Sequence, residues 1–319
     1  MLISIIVPVY NGEKYIKQCL DSIFTGNTCV EVIAVNDGSR DASSEILHEY
    51  AKKEPMLKVI DKENGGAAQA RQTGLFEAHG DFIAFVDVDD SVSHGIYERL
   101  EQKANESGSD VVFFDYVAEY PTRSQNVTSR FKKDESFPLD GKTAIGYINR
   151  REAIFSFPWN KIYRKSLFEG IIFPEKNFVG EDYYMNLQLF EKTDKIDYLP
   201  EVGYHYVMTE NSASRGGYGA GTLTAYENYK KLLRECLESH PERLCETLNY
   251  LTTEYMSFII AMGRNKTYNK EMIREIKRFV RKNIFRYISA PYVPIVMKGS
   301  AVALTLSYRL LIAIYRLVN

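Results

Sequence analysis

Cysteine is scarce in this 319-residue sequence: Cys19, Cys29, Cys236 and Cys245 form no CxxC pair and no Cys/His metal spacing. A chain of this length needs no disulfide scaffold, so the four read as free thiols in a reducing compartment. Long apolar runs are lacking too. The run from Leu2 to Val9 has no basic residue before it and no small-residue cleavage site after it. It is also far short of the roughly 20 residues that span a bilayer. The chain is therefore expected to start as a folded cytoplasmic protein, without a leader. Charge of one sign is missing as well, since 40 Lys and Arg face 42 Asp and Glu for a net charge of -2. That balance argues against a general nucleic-acid binder. No GxGxxG follows the first strand-like run and no P-loop occurs, which argues against a dinucleotide site and a P-loop NTPase. What is present is ordinary for a globular protein: 45% hydrophobic and 26% charged residues, and a length suited to about two domains.

The even average hides an asymmetry. From Arg264 to Asn319 there are 12 Lys and Arg against 2 Glu, while the other 263 residues carry 28 basic and 40 acidic side chains. An acidic globule with a basic tail is a statement about partners.

Along the first 120 residues strand-like and helix-like segments alternate. The run Ile3 to Val9 is β-branched and continuous, which suits a parallel strand covered on both faces. After Asn11-Gly12, the segment Glu13 to Phe24 puts Tyr15, Ile16, Cys19, Leu20 and Ile23 on one helical face. Further strands are expected at Val30 to Val35, Leu57 to Ile60, Asp81 to Val86 and Asp110 to Phe114. The helices between them carry Ile46 and Leu47, Ala70 to Ala78, and Ser93 to Ser107. This spacing predicts an α/β fold, a doubly wound and mostly parallel sheet. Ligands of such sheets bind beyond the carboxyl ends of the strands, which here carry Tyr10, Asp37, Asp87 and Asp89. Tyr120 to Asp140 reads as polar and irregular, Glu181 to Phe190 as a helix. Beyond Arg215-Gly216-Gly217 the pattern is helical only.

Asp87-Val88-Asp89 offers two carboxylates at i and i+2 past a buried strand, enough for one hard divalent cation, Mn²⁺ or Mg²⁺, that completes its shell with phosphate and water. Asp37 is either good turn chemistry before Gly38 or an acceptor for a nucleobase N–H. Pro8 and Tyr10 can frame the same base, Tyr10 by stacking. Arg71 is either a surface helix residue or a partner for a diphosphate. Together these positions read as a nucleotide cleft.

Ser4 to Leu20 with its Pro-Val-Tyr-Asn, Val35 to Ser39, Asn64 to Gly74 and Asp81 to Asp90 resemble the family 2 glycosyltransferases and their A-type nucleotide-sugar fold. Asn160-Lys161-Ile162-Tyr163 and Gly180-Glu181-Asp182-Tyr183 are similar to later blocks of the bacterial polysaccharide branch. The similarity covers residues 1 to about 215. It implies that Asp37 contacts the base, Glu13 borders its site, Arg71 lies on the phosphate side and Asp87 meets the ribose. Val88 belongs to the same donor segment. Asp89, with Asp87, would hold the metal, and Asp182 would be the catalytic base. His205 and Ser212, Ser214 and Arg215 resemble a block closing over the diphosphate, and Gln72 stands where Asn is more usual.

The chemistry asks for the same roles. Leaving diphosphate charge must be neutralised, and a base must take the acceptor's hydroxyl proton. Glu181 and Asp182 point about 100° apart on a helix, so only one easily faces the donor; both also favour a helix N-terminus without any catalytic role. Inverting transfer needs a single such base. Acceptor-side candidates are Trp159, Lys161, Glu181, His205 and Arg215. Trp159 can stack on a sugar or anchor the core, and His205 can equally be a satisfied strand histidine.

In the tail, Lys270 to Ile288 places Met272, Ile273, Ile276, Phe279, Val280 and Ile284 opposite Arg274, Lys277, Arg278, Arg281 and Lys282. From Lys298 to Val318, Lys298, Thr305, Arg309 and Arg316 fall on one side of a helical wheel. Either this region lies on an anionic membrane surface, or it packs in the core or a homo-oligomer contact. The expected organisation is a donor-binding half (1–115), an acceptor-binding half of the same catalytic domain (116–215) and a helical C-terminal region (216–319). The expected activity is metal-dependent inverting transfer of a UDP-linked sugar to a saccharide or lipid-linked acceptor, at the inner face of the cell membrane. Rival readings are a silent nucleotide-sugar-binding assembly protein and a sugar-nucleotidyltransferase. The latter would want a Gly-rich basic loop where Tyr10-Asn11-Gly12-Glu13 stands.

Overall fold

The computed structural model describes residues 1–120, 123–129, 131, 136–174, 180–208, 220–239 and 244–318. The chain divides into two compact units, Met1–Ile145 with Ala153–Thr209, and Gly146–Glu152 with Glu210–Asn319.

The first unit is built on one sheet. Strands β1 (Ile3–Val9), β2 (Val30–Asp37), β3 (Leu57–Lys62) and β4 (Phe82–Phe85) run parallel in the order β3-β2-β1-β4. Ile3 pairs with Val30 on one side and Phe82 on the other. β1, β2 and β4 are almost wholly buried because helices cover both faces, which is why their apolar runs do not alternate. The crossovers are α1 (Ile16–Phe24), α2 (Ser43–Ala51) and α3 (Ala67–Phe76). Short β5 (Ser91–Val92) and α4 (Ile96–Ser107) lead to β6 (Val111–Tyr120), β7 (Arg123–Val127) and α5 (Gly141–Arg150), within which the division between the units falls. β8 (Lys161–Arg164), α6 (Glu181–Phe190) and β9 (Ile196–Val207) complete the unit. β8 is antiparallel between β4 and β6, and β9 returns parallel to β6. The sheet is the expected mostly parallel α/β architecture with an antiparallel strand at its centre. β5 and β8 were not expected, and neither was β7. Its side chains are nearly all exposed, and its register comes from backbone bonds to β6, which polar side chains do not announce.

The second unit is helical: α7 (Ala220–Ser239), α8 (Leu244–Asn265), α9 (Lys270–Ser289), α10 (Ile295–Leu306) and α11 (Tyr308–Val318). Asn269 caps α9 by accepting the Met272 N–H at 3.0 Å, and Met272, Ile273, Ile276 and Val280 form its buried stripe. The tail departs from its sequence reading at Ser307. There the backbone is extended (φ −150°, ψ 134°), so Lys298 and Thr305 belong to α10 while Arg309 and Arg316 belong to α11. One continuous polar stripe does not form. The break is stabilised at both sides: Ser307 Oγ accepts the Arg309 N–H at 3.2 Å, and Arg281 donates to the Thr305 carbonyl at 2.7 and 3.0 Å. Lys277 Nζ meets the Leu306 carbonyl at 3.0 Å, so two basic side chains of α9 cap the C-terminal end of α10. Among the described residues no helix is long and apolar enough to cross a membrane.

Candidate active site

The loops beyond β1 and β2 are stitched to each other. Gly12 N–H donates to Ser43 Oγ at 2.8 Å, the Asn11 N–H to Ser39 Oγ at 3.0 Å, and Asn11 Oδ1 accepts the Arg40 N–H at 2.8 Å. Glu13 takes part through its carboxylate, which accepts the Ala42 N–H at 3.1 Å. Pro8 is half-buried within β1, while Tyr10 is 49% exposed just past it, with its ring free to stack. Gly12 packs closely here, since a Cβ would stand 3.1 Å from a Val88 methyl. The half-buried Val88 thus wedges the metal-candidate segment against the first loop.

Asp37, buried at the end of β2, has most of its acceptor capacity in use. Its Oδ1 accepts from Lys62 Nζ and the Gly65 N–H, both at 2.8 Å, and its Oδ2 accepts the Gly66 N–H at 2.7 Å. Three of about four lone-pair positions are taken. The carboxylate clamps the Gly65-Gly66 turn, where Gly66 adopts φ +87°, and this turn launches α3. The turn role therefore accounts for its present contacts.

α3 carries Arg71, and Arg71 organises the centre. Its guanidinium is buried and forked between two segments: Nη2 lies 3.0 Å from Asp87 Oδ1 and Nη1 lies 3.0 Å from Asp182 Oδ1. Glu181 Oε1 is 3.7 Å from Nη1. One cation thus joins the end of β4 to the first turn of α6. The Arg Nε, also buried, has no hydrogen-bond partner among the described residues. Gly180 at φ +92° lets the chain turn into α6 so that both acids fall in its first turn. Burial first, and then the Glu181 and Asp87 charges, push Asp182 up to about 7, against the opposing pull of Arg71 and Lys161.

Asp87 to Asp90 are held from behind by residues that sequence reasoning passed over. Tyr204 on β9 accepts the Asp87 N–H at 3.1 Å and donates its hydroxyl to Asp90 Oδ2 at 2.8 Å. Asp90 Oδ1 accepts the Val207 N–H at 2.7 Å, and burial with the neighbouring Asp87 pushes this carboxyl up to about 9. Asp90 belongs to the same acidic run, and Tyr204 to the Tyr-His-Tyr alternation, so weak signals existed for both. Burial, then the Asp87 charge, also raises Asp89 above the ordinary carboxylate value.

Three acceptor-side candidates are enclosed or already partnered. Trp159 is 3% exposed and stacks on Phe157 at 4.8 Å and Tyr204 at 4.3 Å, which leaves no ring face for a sugar; it is a core anchor. Lys161 is fully buried, and its ammonium donates to the Phe155 and Phe157 carbonyls and to Asn160 Oδ1 at 2.8, 2.6 and 2.7 Å. Burial pushes it down to about 7, but three acceptors require three N–H donors, which only the charged form supplies. It braces the wall behind Asp182 and cannot meet an acceptor. His205 lies within β9 with Nδ1 2.8 Å from Glu119 and Nε2 3.2 Å from Ser93, the satisfied strand histidine. Ser212, Ser214 and Arg215 lie outside the described residues.

The donor set around Asp87 and Asp89 suits a hard divalent cation. Both carboxylates are half-buried, Arg71 occupies one oxygen of Asp87, and among the described residues no cluster of three His, Cys, Asp or Glu side chains is placed to hold a metal. Such a cation would draw its remaining ligands from phosphate and water, as Mg²⁺ and Mn²⁺ do.

The sequence model described as glycosyl transferase family 2 matches residues 4–172, more than half of the chain. The chain belongs to glycosyl transferase family 2. This family 2 member is 33% identical over 220 residues to the uncharacterized glycosyltransferase EpsJ of Bacillus subtilis (strain 168), covering 68% of this chain and 64% of that relative. It thus spans a little under two thirds of the length of that relative. Its fold matches the crystal structure of S. aureus TarS 1-349 in complex with UDP-GlcNAc, with a TM-score of 0.70 at 24% identity over 99% of this chain and 92% of that one. The mannosyltransferase PcManGT from Pyrobaculum calidifontis, in complex with GDP-Man and Mn²⁺, matches with a TM-score of 0.54 at 17% identity over 98% and 83% of the two chains. The A-type fold expected from the sequence is the fold of these structures.

Proposed function

We propose that this family 2 member is an inverting glycosyltransferase that moves a sugar from a UDP-linked donor to a hydroxyl of a saccharide or lipid-linked acceptor in cell-surface polysaccharide synthesis. The observation that carries this reading is the Arg71 fork, which brings Asp87 and Asp182 to opposite ends of one guanidinium. The UDP-GlcNAc complex of the matched TarS structure supports the donor class. Residues 1–115 would form the donor half and 116–215 the acceptor half, with 216–319 as the accessory region.

In this mechanism Tyr10 and Pro8 frame the base, with Asp37 and Glu13 shaping its loop. Asp89, assisted by Asp87, would hold Mn²⁺ or Mg²⁺, which neutralises charge on the diphosphate; the Mn²⁺ in the matched mannosyltransferase complex supports that assignment. Asp182 takes the proton from the acceptor hydroxyl as its oxygen bonds to the anomeric carbon. The bond from that carbon to the diphosphate oxygen breaks, and its electron pair leaves with the nucleoside diphosphate. A base near pH 7 is well matched to this proton transfer. The basic second unit would seat the enzyme peripherally at an anionic membrane face, close to a lipid-linked acceptor.

The test is Asp182→Asn. Transfer from UDP-GlcNAc and related donors should fall about 10²–10⁴-fold, while donor affinity by calorimetry stays within a few-fold. Unchanged transfer would overturn the assignment, and wild-type inactivity with every donor that binds would favour a silent binding protein.

A further inference from the structure

The second unit carries an open cavity of about 820 Å³ between α9 and α11. Lys270, Arg274 and Lys277 line it from α9, at i, i+4 and i+7, and Arg309 and Arg316 from α11. Among the described residues no carboxylate lines the cavity, and none forms an ion pair with any of these five side chains. Lys277 and Arg316 touch the Leu306 and Gly263 carbonyls at 3.0 and 3.3 Å, which orients them without neutralising them. The remaining walls are aromatic and aliphatic. Tyr268 and Tyr308 stand with ring centroids 5.5 Å apart, and Ile273 and Ile312 form the floor.

Five unneutralised cations in one concavity repel each other, so the complementary occupant is an anion with several acceptor oxygens. A second observation narrows its class. On α11, Leu310 and Leu317 each follow a cavity arginine by one residue, and both are exposed, Leu317 to 86%. A free phosphate has no use for an exposed leucine row beside its site, whereas the chain of an amphiphile does.

We propose that this cavity is a discrete site for the phosphate of an anionic membrane lipid, with the lipid chain running along Leu310 and Leu317. The inference rests on the membrane seating proposed above and narrows it from a diffuse charged surface to one binding pocket.

The full-length protein is floated with vesicles of phosphatidylcholine alone and of phosphatidylcholine mixed with phosphatidylglycerol, with no nucleotide sugar present. Binding to the anionic vesicles should fall about thirtyfold in the double variant Arg274→Gln/Arg309→Gln. The charge-matched control Arg278→Gln/Arg286→Gln, exposed on α9 but outside the cavity, should stay within about threefold of wild type. Leu310→Ser/Leu317→Ser should also weaken vesicle binding while leaving calorimetric titration with inorganic pyrophosphate unchanged. Equal losses in the cavity and control variants would overturn the pocket and leave only general surface attraction. Failure of the wild type to prefer anionic vesicles would overturn the pocket and the membrane seating together. Tight pyrophosphate binding, with vesicle binding indifferent to the leucines, would assign the site to a soluble phosphate and overturn the lipid. Because the assay contains no donor, none of these outcomes depends on whether the chain transfers sugar.

Discussion

Arg71 holds two carboxylates at 3.0 Å and a third at 3.7 Å, and this geometry depends on a planar fork. A lysine has one point charge and cannot reach both ends. Arg71→Lys should therefore keep the fold yet lower kcat about 10²-fold, because Asp182 loses its fixed position; steady-state kinetics with a soluble acceptor check this. The same pair sets the pH dependence. In the proposed role of base Asp182 must be ionised, and it is pushed up to about 7, so kcat/KM should rise tenfold per pH unit below 7 and level off above it. The guanidinium opposes that upward shift. Arg71→Met should thus move the acid limb to higher pH; a limb that stays in place would separate Asp182 from the rate.

Among the elements, α3 shows how a turn places a functional side chain. Asp37 clamps Gly65 and Gly66, Gly66 adopts φ +87°, and the helix then delivers Arg71 about one turn on. Asp37→Ala would leave two backbone donors and Lys62 without their acceptor, a cost of about 1–3 kcal/mol. Its melting temperature should drop and its transfer rate should fall with it. A variant that loses donor affinity at unchanged melting temperature would instead assign Asp37 to the base alone. Most elements were legible, since β1 to β4 and α6 stand where apolar runs, turn residues and the acidic pair had put them. Two of the exceptions share a cause. β7 owes its register to backbone bonds with β6, and the α10–α11 break depends on Arg281 and Lys277, more than 20 residues earlier in the chain. Neither interaction leaves a local periodicity.

For the molecule as a whole, binding is the readout that integrates these parts. A ligand that binds only the folded state at 100 times its Kd adds about 2.7 kcal/mol of stability. UDP-GlcNAc with Mn²⁺ should therefore raise the melting temperature by several degrees. EDTA, or Asp89→Asn, should remove most of that gain while the melting temperature of the free protein changes little. A donor shift insensitive to both would remove the cation from the proposed mechanism.

Composition, β-branched runs and Gly- or Asp-rich turns are local properties, and they were enough to specify a doubly wound sheet and to put Tyr10, Asp37, Asp87 and Asp89 at the tips of its strands. Family motifs added Asp182 to a cleft that already included Arg71, though 111 residues separate the two. Only the folded chain decided which side chains stand open. Trp159 and Lys161 look as available in sequence as Tyr10 does, yet packing enclosed the first two and left the third exposed. Burial is settled by contacts between distant segments, and so is the balance of desolvation and charge that raises Asp182 toward neutrality.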